Sequence, residues 1–170
     1  MHDLLEGINV VHKVIYNAIR ENNVTLEALN TNLHVASKDV CDSPNAFNSK
    51  NVRSSGTITG SASQKWLLFL LLPKIVGKFL YFNNAVWQVY LLLRSITDII
   101  FAPVVKKSSL SYLEGLIIEF LSQFTALFGT DPLHGALSLV NWQVWAFTFS
   151  VVHADRRQTT AIQICNRLFR

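Results

Sequence analysis

The chain has 170 residues and a mass of 19.2 kDa, the size of about one domain, which excludes a large multidomain enzyme. Half of the residues are apolar and 15% are charged, against about 25% in an ordinary soluble domain, which excludes disorder along the whole length. Fifteen basic against eleven acidic residues leave +4, a surplus that suits a polyanionic partner without identifying one.

Residues 3–20 set Leu4, Leu5, Ile8, Val11, Ile15 and Ile19 three and four positions apart, which predicts an amphipathic helix. Acids at its start and Arg20 at its end suit the helix dipole. Val24 to Leu33 predicts a short second helix with Leu26, Leu29 and Leu33 on one side. From Asp39 to Ser63 the composition turns to Ser, Asn, Gly and Pro, which buries too little surface to offset its ordering entropy. That stretch reads as a flexible linker or long surface loop. Gln64 to Leu72 predicts a helix that Pro73 kinks or ends, because proline lacks the N–H of a helix interior; Lys74 to Phe82 resumes it. Asn84 to Ile100 carries Val86, Val89, Tyr90, Leu93, Ile96 and Ile100 on one stripe and Trp87 and Leu91 on another, the pattern of a core helix. Pro103 ends it, and Ser111 with Glu114 forms an S-x-x-E capping box at or near the start of the next. There Leu110, Leu113, Ile117, Phe120, Phe124 and Leu127 recur at helical spacing up to Gly129, a good residue to end a helix. Beyond Asp131, Val140, Trp142, Val144, Phe147, Phe149 and Val151 fit strand and helix spacing about equally well. The expected fold is all-α, an irregular bundle of four to six helices. It divides into an N-terminal helical segment (1–38), a flexible linker (39–63), a helical core (64–129) and a divergent apolar and basic tail (130–170).

No stretch reads as a clean membrane span. Pro73, Lys74 and Lys78 interrupt one greasy run and Arg94 and Asp98 another, and residues 137–152 are short and contain Asn141 and Gln143. A membrane-associated protein anchored by 137–152 is therefore a minor alternative. The acids ahead of the first apolar run do not suit an export signal, and Cys41 and Cys165 lie in no metal or disulfide spacing. An intracellular place, nuclear or cytoplasmic, with reduced thiols is the expectation. The sequon Asn23-Val24-Thr25 then carries no weight.

Few residues suggest chemistry. His2, Asp3 and Glu6 share the first turn of the first helix and have the ligand types for a divalent ion, although acids at a helix start are ordinary dipole complements. His12, His34, His134 and His153 have no ligand spacing and read as packed or surface histidines. Gly56-Thr-Ile-Thr-Gly60 lacks the G-K-[ST] of a phosphate loop, so its glycines serve turns, and no G-x-S-x-G marks a nucleophilic serine. Glu114 and Glu119 read as solvating charges. The candidate DNA contacts are Lys50, Arg53, Lys65, Lys74 and Lys78, with Lys38 nearby and Arg156, Arg157, Arg167 and Arg170 in the tail.

Three segments carry a family resemblance: Met1-His-Asp-Leu-Leu-Glu-Gly7, Thr25-Leu-Glu-Ala-Leu-Asn30, and Gly60-Ser-Ala-Ser-Gln-Lys-Trp66 through Phe128-Gly129. Within the last, Trp87-Gln-Val-Tyr-Leu-Leu-Leu-Arg94, Ile99-Ile-Phe-Ala-Pro-Val-Val105 and Leu110-Ser-Tyr-Leu113 stand out. Over about residues 1–131 the chain resembles transposase-derived proteins of the CACTA (En/Spm) type. The resemblance implies a piece of a ribonuclease-H-like enzyme, in which three acids hold two divalent metal ions. The family's D-x-M-H pattern aligns with Met1 and His2, which implies that its first two catalytic acids lie upstream. After Gly129 this sequence departs from the family, and neither the K-x-H-x-x-x-H region nor the late glutamate follows. The expectation is a helical insertion without catalytic acids and without enzymatic activity or cofactor of its own. Its expected partners are DNA, bound weakly, a protein, or a second copy met through exposed apolar faces; a membrane is not expected.

Overall fold

The computed structural model describes residues 7–53, 56–81, 83–102 and 109–128. Among them the secondary structure is helical: α1 (Gly7–Arg20), α2 (Leu26–Ala36), α3 (Ala62–Val76), a 3₁₀ turn (Gly77–Phe79), α4 (Ala85–Ile100) and α5 (Ser109–Phe128). The all-α expectation holds. The chain divides into two compact units, Met1–Leu93 and Arg94–Arg170, with the boundary inside α4.

In the first unit α1 and α2 lie against α3. α1 buries Val10, Val11, Val14, Ile15 and Ala18, and its expected Ile8 and Ile19 are only half-buried. It ends in a left-handed turn. Asn22 (φ 57°) lets its own N–H reach Ile19 O (3.0 Å) and that of Asn23 reach Ala18 O (2.9 Å), satisfying carbonyls that a helix end would orphan. Thr25 caps α2, its hydroxyl accepting from Ala28 N–H, and α2 runs to Ala36, past the expected stop at Leu33.

α3 starts two residues earlier than expected. Ser61 and Gln64 form a reciprocal capping box, in which Ser61 Oγ accepts from Gln64 N–H and Gln64 Oε1 from Ser61 N–H. Pro73 neither ends nor splits the helix, which corrects the sequence reading: α3 continues through it to Val76, and the 3₁₀ turn stops at Phe79. Proline at 73 withholds the N–H that Phe69 O, four residues back, would accept. The Tyr90 hydroxyl of α4 donates to that carbonyl instead, at 2.8 Å, with Tyr90 fully buried. An aromatic cluster surrounds this bond: Trp66 stacks on Phe69, Phe69 meets Tyr90 edge-on and Tyr90 stacks on Trp87, with centroids 4.9–5.5 Å apart.

The segment between α2 and α3 is irregular, and side chains tie it down. The Asn30 amide grips the backbone of Phe47 from both ends, donating to Phe47 O (2.9 Å) and accepting from Phe47 N–H (2.8 Å), while the Phe47 ring is buried. Gln64 Nε2 donates to Ser43 O (3.0 Å). These amides supply the ordering that hydrophobic burial does not.

In the second unit, Arg94 and Asp98 pair one turn apart on α4 (3.0 Å). α5 buries Leu113, Leu116, Ile117, Phe120 and Phe124 on one stripe, while Leu127 is exposed. It begins at Ser109, so Ser111 sits inside its first turn and the S-x-x-E pair does not cap it. Gly129 and the tail from 130 onward, including 137–152, lie outside the described residues. No described helix is long and apolar enough to cross a membrane.

Candidate functional site: a histidine-anchored loop and a basic helix end

The expected site residues fall into separate places. His2, Asp3, Glu6, Arg156 and Arg157 lie outside the described residues, as do His134 and His153. Lys50 and Arg53 are exposed and flank Asn51 in the loop before α3. Lys65 sits in the first turn of α3, and Lys74 and Lys78 are exposed at its far end. Nine residues part Lys65 from Lys74, which is half a turn out of phase and about 13 Å along the axis, so the lysines of α3 do not form one stripe. Lys74 lies in the last turn of α3 and Lys78 in the 3₁₀ turn after it.

The loop bearing Lys50 and Arg53 is held from beneath by His12. This histidine is buried, and its Nε2 lies 2.9 Å from Asn51 O. A carbonyl only accepts, so Nε2 carries the proton. Asn51 is itself buried: its Oδ1 accepts from Asn48 N–H (3.2 Å) and its Nδ2 donates to Thr57 O (2.9 Å). Asn48 Oδ1 in turn accepts from the N–H groups of Lys50 and Asn51. Gly56 presses on this turn, and its N–H donates to Arg53 O (2.8 Å). Gly60, at φ +139°, takes a backbone form that side chains disfavour. Both glycines therefore serve turns.

Burial pulls the His12 imidazole below its ordinary pKa of 6.5, against the raising effect of backbone hydrogen bonds at Asn51 and Arg53; the Lys13 charge lowers it further. A histidine whose folded pKa is depressed binds its proton more readily when unfolded, between the folded value and 6.5. Its contribution is present in full above 6.5 and is lost as pH falls from there toward the folded value. The urea midpoint is therefore expected to drop between pH 7 and pH 5, and a His12→Gln variant, less stable at pH 7, is expected to flatten that dependence. An unchanged slope in His12→Gln would place the titrating group elsewhere.

Among the described residues the acids do not converge. Glu21 accepts from Asn23 (3.1 Å) and Asn84 (3.4 Å), Asp42 from Ser61 (3.3 Å) and Ser63, and Glu119 from Gln123 (3.1 Å). Among the described residues no three His, Cys, Asp or Glu side chains group as a metal site. His34 is exposed, and Cys41 is an exposed free thiol.

Between Asp42 and Asp98 there is no acidic residue, while Lys50, Arg53, Lys65, Lys74, Lys78 and Arg94 all fall there. That segment carries +6 against +4 for the whole chain, so the remaining residues sum to −2. No protein-family model, no curated protein and no solved structure matches the chain.

Proposed function

We propose that this chain is a non-catalytic helical module of transposable-element origin that works by binding. The origin rests on the resemblance of residues 1–131 to CACTA-type transposase-derived proteins. The non-catalytic reading rests on the same resemblance, which matches the chain to the family's helical insertion rather than to its metal-binding acids.

DNA is the partner that the segregated charge favours. The acid-free stretch from 43 to 97 brings Lys50 and Arg53 on the clamped loop and Lys74 and Lys78 on the helix end to the surface. Each phosphate contact releases a counterion, so the binding constant for a labelled duplex is expected to fall linearly on a log–log plot against salt. With four contacts the slope is on the order of −4. Absent or salt-independent binding would reject DNA as the partner.

A further inference from the structure

The most exposed large aromatic among the described residues is Tyr81, at 75% of its full accessibility, just beyond the 3₁₀ turn that closes α3. It follows Lys74 and Lys78 at spacings of seven and three, and both lysines are exposed. Lys74 stands in the last turn of α3 and Lys78 in the 3₁₀ turn that follows, with Tyr81 three residues beyond. The strip is partly organised in advance. Lys78 Nζ donates to Asn32 Oδ1 (3.3 Å) and lies over the Phe79 ring (4.9 Å from its centroid), and Asn32 Nδ2 is fixed on Ile75 O (3.1 Å). Tyr81 O accepts from Asn84 N–H (3.0 Å), which holds the turn and leaves the ring outward. Glu21, just past the end of α1, accepts from Asn84 Nδ2 (3.4 Å).

We propose that Lys74, Lys78 and Tyr81 form a contact for single-stranded nucleic acid, with one base stacked on the Tyr81 ring and the two ammonium groups on flanking phosphates. This rests on the binding reading above and narrows it. An exposed aromatic ring beside cations is how sequence-tolerant single-strand binders work: every base has a face to stack, and the backbone supplies the charge. A duplex keeps its bases stacked on one another and offers such a ring nothing. An acidic peptide would use the lysines and leave the ring idle.

The test is fluorescence anisotropy of labelled dT20 and rU20 with the full chain, competed by unlabelled duplex and by poly-glutamate. Tyr81→Ala is expected to weaken single-strand binding about 5- to 150-fold. Tyr81→Phe is expected to bind like the parent, with unchanged far-UV circular dichroism in both. Lys74→Gln and Lys78→Gln are each expected to reduce the salt slope by about 0.7. Parent binding that Tyr81→Ala leaves unchanged, or that duplex or poly-glutamate displaces as well as single strand does, overturns the stacking contact but not a binding role. A parent chain that binds no nucleic acid overturns both the contact and DNA as partner.

Discussion

Tyr90→Phe is expected to destabilise the protein by about 1–3 kcal/mol, although it removes a single oxygen. The hydroxyl's acceptor is Phe69 O, inside α3, and Pro73 has no N–H to take its place. Without the hydroxyl that donation to Phe69 O is lost beside a fully buried ring. The proline explains the size of the effect, and that dependence is open to a direct test. Pro73→Ala restores the helical donor to Phe69 O, so in that background Tyr90→Phe is expected to cost clearly less. The double-mutant cycle should therefore show a coupling on the order of 1 kcal/mol between residues 73 and 90. Additive urea-denaturation free energies would show that the hydroxyl does not substitute for the missing N–H.

Two glycine substitutions are expected to act in opposite directions. At Gly56 an added Cβ would meet Asn51 O and would lie 2.5 Å from Lys50 O and 2.8 Å from Asn51 C, all backbone atoms. Backbone cannot turn aside as a side chain can, so Gly56→Ala must push the Lys50–Asn51 turn off His12, at a cost of about 1–3 kcal/mol. It should also shift the His12 ring resonances. Gly115 lies in the interior of α5 with nothing within 4 Å of an added Cβ, and there alanine is expected to stabilise by about 0.5–1 kcal/mol. Chemical denaturation of both variants decides the matter: a tolerated Gly56→Ala would mean that the turn is not fixed as described.

The helices themselves were legible because hydrophobic spacing dictates them. The stripe on α4 buries Val86, Val89, Tyr90, Leu93 and Ile96 as read, and that on α5 buries Leu113, Ile117, Phe120 and Phe124. What escaped the reading depends on partners remote in sequence. Pro73 argues for a break on local grounds, and the residue that cancels the argument lies 17 positions further on. Hydropathy likewise reads 39–63 only as linker or loop and cannot show that Asn30, His12 and Gln64 bond its backbone atoms. The Ser61–Gln64 capping box is legible as S-x-x-Q, but it straddles the boundary between the polar run that ends at Ser63 and the helix read from Gln64. For the candidate site, the lysine positions were visible, but their division into two separate groups followed only from the helical phase of α3. Tyr81 gave no sign of its exposure, since an apolar run reads as buried throughout.

The central claim, that this protein binds without cutting, is tested most directly by incubating the full chain with supercoiled plasmid at low salt with Mg²⁺ or Mn²⁺, and scoring mobility and topology in the same gel. Retarded plasmid that returns to fully supercoiled form after proteinase treatment is the expected result. Nicked circles that require the metal and disappear in an Asp3→Asn variant would contradict it and would make Asp3 part of an active site.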